Sequence, residues 1–124
     1  MPKIDNSAPP SFDVPGVTFT GIAAPSRGSS ETAVWRARLV PGVPSPLHHM
    51  TREEIIIATS GTGLVRLAGE EHLLNPGDAF AVPAFTDFQL EPSGSEPFEA
   101  MVILPVGGRG VIGTEPSFRP PWSI

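Results

Sequence analysis

The chain holds 124 residues, with 16 prolines, 13 glycines, no cysteine and a formal charge of -5. Without cysteine there is no disulfide framework, thiolate zinc site, iron–sulfur cluster or thiol nucleophile. Proline and glycine at this density exclude long helices, because one interior proline costs ~3 kcal/mol of helix. The acidic balance, with no Lys/Arg cluster, argues against nucleic acid as a partner.

In chain order, residues 1–16 carry four prolines and are predicted to form an extended arm. No apolar leader stands at the start and no run has the length of a membrane span, so no membrane partner and a cytoplasmic location are expected. Residues 17–23 alternate crudely. Residues 32–40 alternate well, with Trp35, Ala37 and Leu39 on one face and Arg36 and Arg38 on the other. A turn with three prolines follows (41–46), then the apolar β-branched run Ile55, Ile56, Ile57. Short strands are predicted at 64–67, 72–74, 79–82 and 88–90, and a longer one at 98–104, with Gly/Pro/Asn/Asp turns between them. The Thr51–Glu54 stretch matches a helix capping box. Consecutive isoleucines nevertheless lose χ1 freedom in a helix and suit a strand. Short strands at spacings of roughly 8–12 residues are the mark of an all-β sandwich or barrel. Residues 17–106 form that barrel in this reading, and 107–124 an irregular tail that Trp122 anchors to it or to a partner.

The isoleucine run adds a further expectation. Ile55 and Ile57 point to one side of a strand and Glu54, Ile56 and Ala58 to the other, so both sides are apolar. Such a strand is covered on both faces. One cover is the barrel interior. The other is a further sheet, the proline-rich arm or a second subunit, and a homodimer is expected.

Two ordered motifs resemble the cupin family. In the first, Gly42 is followed after five residues by His48, then by Met50, Glu54 and Gly61. In the second, Pro76, Gly77, Asp78 and Pro83 precede Phe88. The resemblance implies a double-stranded β-helix, a jelly-roll-like barrel. It also implies that a divalent metal would sit on the positions of His48, Met50, Glu54 and Phe88. This chain departs at two of them: Phe88 offers no donor, and Met50 only a soft thioether, poor for iron, manganese or zinc. His48 and Glu54 are the metal candidates that remain. The expectation is therefore no tightly held cofactor, or at most a weakly held divalent transition metal. His49 points away from His48 on a strand, and His72 shares the parity of Leu74.

Without a metal, His48 and Glu54 face an interior that Met50, Ile56 and Phe88 line, with Trp35, Phe80, Met101 and Ile103 as further candidates. Three readings stay open. One is a small-molecule pocket. Another is an enzyme of isomerase, lyase or dioxygenase type in which Glu54 and His48 are the catalytic acid and base. The last is a filled interior with the pair as a relic. Arg36 and Arg38 read as a solvated face, Arg66 as ambiguous, and Asp87 as a turn residue near the barrel mouth. The glycine clusters at Gly61 and Gly107 follow strands without helices and are no phosphate loops.

Overall fold

A computed structural model describes residues 3–124. Eleven strands follow one another: β1 Ser11–Val14, β2 Val17–Ala23, β3 Thr32–Leu39, β4 His48–Met50, β5 Glu54–Ser60, β6 Gly63–Leu67, β7 Glu70–Leu74, β8 Ala79–Val82, β9 Phe88–Pro92, β10 Phe98–Pro105 and β11 Gly110–Ile112. They build two antiparallel sheets, one in the order β1-β2-β3-β10-β5-β8 and the other β11-β4-β9-β6-β7. Only two single-turn 3-10 segments, Pro25–Arg27 and Pro121–Ser123, break the all-β pattern among the described residues. No helix there is long and apolar enough to cross a membrane.

Period-two alternation positions the core. In β3 the residues Ala33, Trp35, Ala37 and Leu39 are buried while Arg36 and Arg38 are exposed. In β10 the buried row is Phe98, Ala100, Val102 and Leu104, and in β5 it is Glu54, Ile56 and Ala58. Val102 stands opposite both Trp35 and Ile56, so one inward layer runs across three strands. From the other sheet come Met50, Val65, Leu74, Phe88 and Leu90. Each large apolar side chain removed from water contributes ~1.5–3 kcal/mol.

The capping-box residues do not start a helix. The Thr51 N–H donates to the Arg109 carbonyl at 2.9 Å, and the Arg109 N–H donates to the Thr51 hydroxyl at 2.9 Å. Thr51 is thus bonded across to the segment leading into β11, and the isoleucine run follows as β5. The turn glycines are needed locally. Gly61 has φ +71°, and a Cβ there would collide with the Pro97 carbonyl oxygen. In the Asn75–Asp78 turn, the Asp78 carboxylate accepts from the Asn75 N–H at 2.8 Å.

The arm expected to be extended and the tail expected to be irregular both contribute strands. Part of the arm is β1, paired with β2, and part of the tail is β11, paired with β4. The described part of the arm therefore lies at the β2 edge, away from the outer face of β5 and β10. On that face Val34, Ile55, Ile57, Met101 and Ile103 are half-buried.

Candidate ligand cavity

Between the sheets lies a cavity of about 560 Å³. Its size falls within the roughly 300–1,000 Å³ of small-molecule sites. Most of its wall is apolar: Val17, Phe19, Trp35, Ala37, Leu39, Ile56 and Val102 from the larger sheet, Met50, Phe88, Leu90 and Ile112 from the smaller. Its polar groups are few. Ser45 is already engaged, its hydroxyl accepting the Leu90 N–H at 2.9 Å. His48 and Glu54 are the ionisable residues in the wall, and no Lys or Arg lines it among the described residues.

The proline-rich loop before β4 sets the His48 ring. The Pro46 carbonyl lies 2.7 Å from His48 Nδ1. A carbonyl only accepts, so Nδ1 carries the proton and Nε2 keeps its lone pair in the neutral ring. Strand register puts Phe88 opposite His48, and their ring centroids are 4.3 Å apart. Burial pushes the His48 pKa below the ordinary histidine value, ahead of the opposing contribution from the Pro46 carbonyl. Near neutral pH the ring is an uncharged base.

Glu54 opens β5, opposite Val82. It is 6% exposed, and no hydrogen-bond or charged partner acts on its carboxyl among the described residues. Burial alone pushes its pKa up to about 8. At pH 7 it stands mostly as the neutral acid, a hydrogen-bond donor at the cavity wall without a protein partner among the described residues. His48 and Glu54 thus share a wall without bonding to each other.

The C-terminal segment completes the wall. Trp122 stacks on Phe19 with centroids 3.8 Å apart and sits edge-on to Trp35 at 6.4 Å. Its indole Nε1 is buried without a partner. Phe118 is bridged to Gly110 by two backbone hydrogen bonds of 2.8 and 2.9 Å. At the mouth Val14, Val43 and Phe118 line the cavity yet are 41%, 38% and 36% exposed. The entrance is therefore framed by apolar side chains.

The structure brings His48, Met50, Glu54, Phe88 and Trp35 to one cavity. It does not bring Met101 or Phe80 there. Met101 stands opposite Ile57 and Arg36, on the outer face, and Ile103 likewise stands opposite Ile55. Phe80 shares the inward face with Ile56, but β8 is an edge strand, and the ring packs against His72 at 5.2 Å between the sheet margins. His72, 3.3 Å from Glu70, is outside the cavity wall, as is His49, which pairs with Asp87 at 2.9 Å. Arg66 is bonded to Glu71 and Glu91. Sequence reasoning passed over Phe19, Phe118 and Trp122 as site residues. Parity from Val17 marks Phe19 as inward; the irregular tail has no period by which to place the other two.

Residues 35–104, more than half of the chain, match the family described as Cupin domain. The chain belongs to the cupin family. Among curated proteins, Auxin-binding protein 1 of Arabidopsis thaliana is 27% identical over 101 residues, covering 73% of this chain and 50% of that protein. Auxin-binding protein 5 of Zea mays is 36% identical over 69 residues, covering 56% and 44%. The chain thus spans about half the length of these relatives or less. Among solved structures, the polyketide cyclase RemF from Streptomyces resistomycificus superposes with TM-score 0.75 at 16% identity, covering 85% of this chain and 79% of that one. The DMSP lyase DddQ from Ruegeria pomeroyi superposes with TM-score 0.62 at 23% identity, covering 68% and 44%. These likenesses carry the cupin fold.

Metals are common in cupins, so the donor set here matters. The described residues contain no group of three or more His, Cys, Asp or Glu placed to hold a metal ion. At the four family positions the donors are the His48 imidazole and the Glu54 carboxyl, joined by the soft Met50 thioether, while the Phe88 ring packs against His48 where a fourth ligand would stand. This set does not fit a divalent ion that wants three or four nitrogen or oxygen ligands.

Proposed function

We propose that this cupin binds a small organic molecule inside the barrel, in a metal-poor site built around His48, Met50, Glu54, Phe88 and Trp35. The observation that carries the reading is the cavity of about 560 Å³, open at one end, apolar in its walls and holding an unpartnered carboxyl. An interior that served only stability would be filled, since packed cores leave few voids larger than a water molecule. A thermal-shift screen with a fragment library tests it. Fragments should raise the melting temperature of the wild type but not of Ala37→Phe, in which a ring fills the cavity. A library without a stabilising member, or equal shifts in both proteins, overturns the reading.

A second reading has its own support. Burial leaves Glu54 a neutral acid and His48 a neutral base in one cavity, the pairing that general acid–base catalysis of enolisation, isomerisation or elimination requires. In it Glu54 gives a proton to a substrate oxygen and His48 Nε2 takes one from carbon or oxygen. Turnover of a bound compound, abolished in Glu54→Gln and His48→Ala, would establish it over simple binding.

The homodimer belongs to the same proposal. Its support is the outer face of β5 and β10, where Ile55, Ile57, Met101 and Ile103 are half-buried and the described part of the arm does not reach. Light scattering at micromolar concentration should give twice the chain mass, and Ile57→Glu with Met101→Glu should give the single mass. A monomeric wild type removes the dimer and leaves the cavity reading untouched.

A further inference from the structure

We infer that the cavity selects an uncharged, ring-bearing ligand whose oxygen function meets the Glu54 carboxyl, and that it rejects organic anions. This rests on the small-molecule reading above and narrows it to a ligand class.

Three observations converge. The first is charge. No Lys or Arg lines the cavity among the described residues. The His48 Nδ1 proton is spent on the Pro46 carbonyl. A carboxylate ligand would lose its hydration without meeting a cation, and burying an unpaired charge is among the most expensive steps a site can ask for. It would also face the Glu54 carboxyl. The second is that this carboxyl is buried, aimed into the cavity and unpartnered. It is the one carboxyl in the wall, placed to hydrogen-bond a carbonyl or hydroxyl oxygen of a ligand. A cationic ligand would be desolvated in the same apolar wall, with the single Glu54 carboxyl as its counter-charge. The third is the lining. Phe19, Trp35, Phe88 and Trp122 stand in the wall, with Val14, Val43 and Phe118 at the mouth, so an apolar ring meets aromatic and aliphatic surface throughout the cavity.

The test uses four probes sharing one ring system: 1-naphthol, naphthalene, 1-naphthoate and 1-naphthylmethylammonium. Binding is read near neutral pH by calorimetry and by quenching of tryptophan fluorescence. 1-Naphthol should bind at least about tenfold tighter than either charged probe, and about three- to tenfold tighter than naphthalene, the worth of one hydrogen bond. In Glu54→Leu the preference for 1-naphthol over naphthalene should vanish. In Glu54→Gln, which keeps a donor of the same shape, it should survive; if the leucine variant does not fold, Glu54→Met, of similar length and without a donor, should lose the preference, and its persistence there overturns the inference. The inference is overturned if 1-naphthoate or the ammonium binds as tightly as 1-naphthol, or if the preference persists in Glu54→Leu. If none of the four binds while other fragments stabilise the protein, this ligand class fails and the binding reading stands. If nothing binds from either set, both fail.

Discussion

Glu54→Gln should stabilise the protein in neutral and alkaline solution and leave it nearly unchanged in acid. The carboxyl is buried without a partner, and its pKa rises from 4.5 to about 8 on folding. The unfolded chain therefore releases this proton at a lower pH than the folded one, and the unfolded state is favoured as pH climbs. Below about pH 4.5 both states hold the proton and there is no penalty. Between 4.5 and about 8 the penalty grows by about 1.4 kcal/mol per pH unit, and above that it is constant. It amounts to about 3 kcal/mol at pH 7 and about 5 kcal/mol at full development. Glutamine keeps the shape and polarity and removes the titration. Urea unfolding of both proteins at several pH values measures the difference. The gain from Glu54→Gln should be near zero at about pH 4 and reach several kcal/mol by about pH 8. A difference that does not change with pH would mean that Glu54 titrates as an exposed carboxylate and that the cavity account of its environment is wrong.

Three further outcomes follow from the same geometry. Trp122→Ala removes the ring stacked on Phe19 and should cost about 3 kcal/mol in urea unfolding, with enhanced binding of a hydrophobic dye at the opened cavity. Met50→His combined with Phe88→His supplies the donors that the family pattern expects beside His48 and Glu54. That variant should retain about one divalent ion per chain by elemental analysis while the wild type retains far less. Gly61→Ala places a side chain at φ +71° against the Pro97 carbonyl and should destabilise by more than about 3 kcal/mol, whereas Gly94→Ala, with open space around it, should cost little.

The parts of the fold legible in the sequence are those where one physical signal dominates. The β3 alternation of Trp35, Ala37 and Leu39 against Arg36 and Arg38 reads directly as an inward and an outward row. The turn residues Gly61, Gly77 and Asp78 announce where strands end. His48, Met50, Glu54 and Phe88 were legible as a group through the spacing of the two cupin motifs. Met101 was misplaced because β10 is apolar on both faces from Met101 to Leu104, and such a strand carries no parity signal. Phe80, a candidate for the cavity wall, lies away from it because β8 is at a sheet edge, which a four-residue strand's own sequence cannot reveal. β1, β4 and β11 are three or four residues long, too short for a period; β1 pairs with the longer β2, while β4 and β11 pair mainly with each other, partners the local sequence does not name. Trp122 is the clearest case: no local pattern predicts that an irregular segment after two prolines closes the cavity.

Whether a small molecule is held between the sheets can be observed directly. Neighbouring residues of β5 and β10 provide the reporters, because the pleat sends them to opposite sides. Intermolecular NOEs from bound 1-naphthol, or from any fragment that stabilises the protein, to assigned methyl groups locate the ligand. A ligand in the cavity gives NOEs to the Met50 ε-methyl and the methyls of Ile56 and Val102, which line it. NOEs confined to Ile55, Ile57, Met101 and Ile103 on the outer face would contradict the cavity reading.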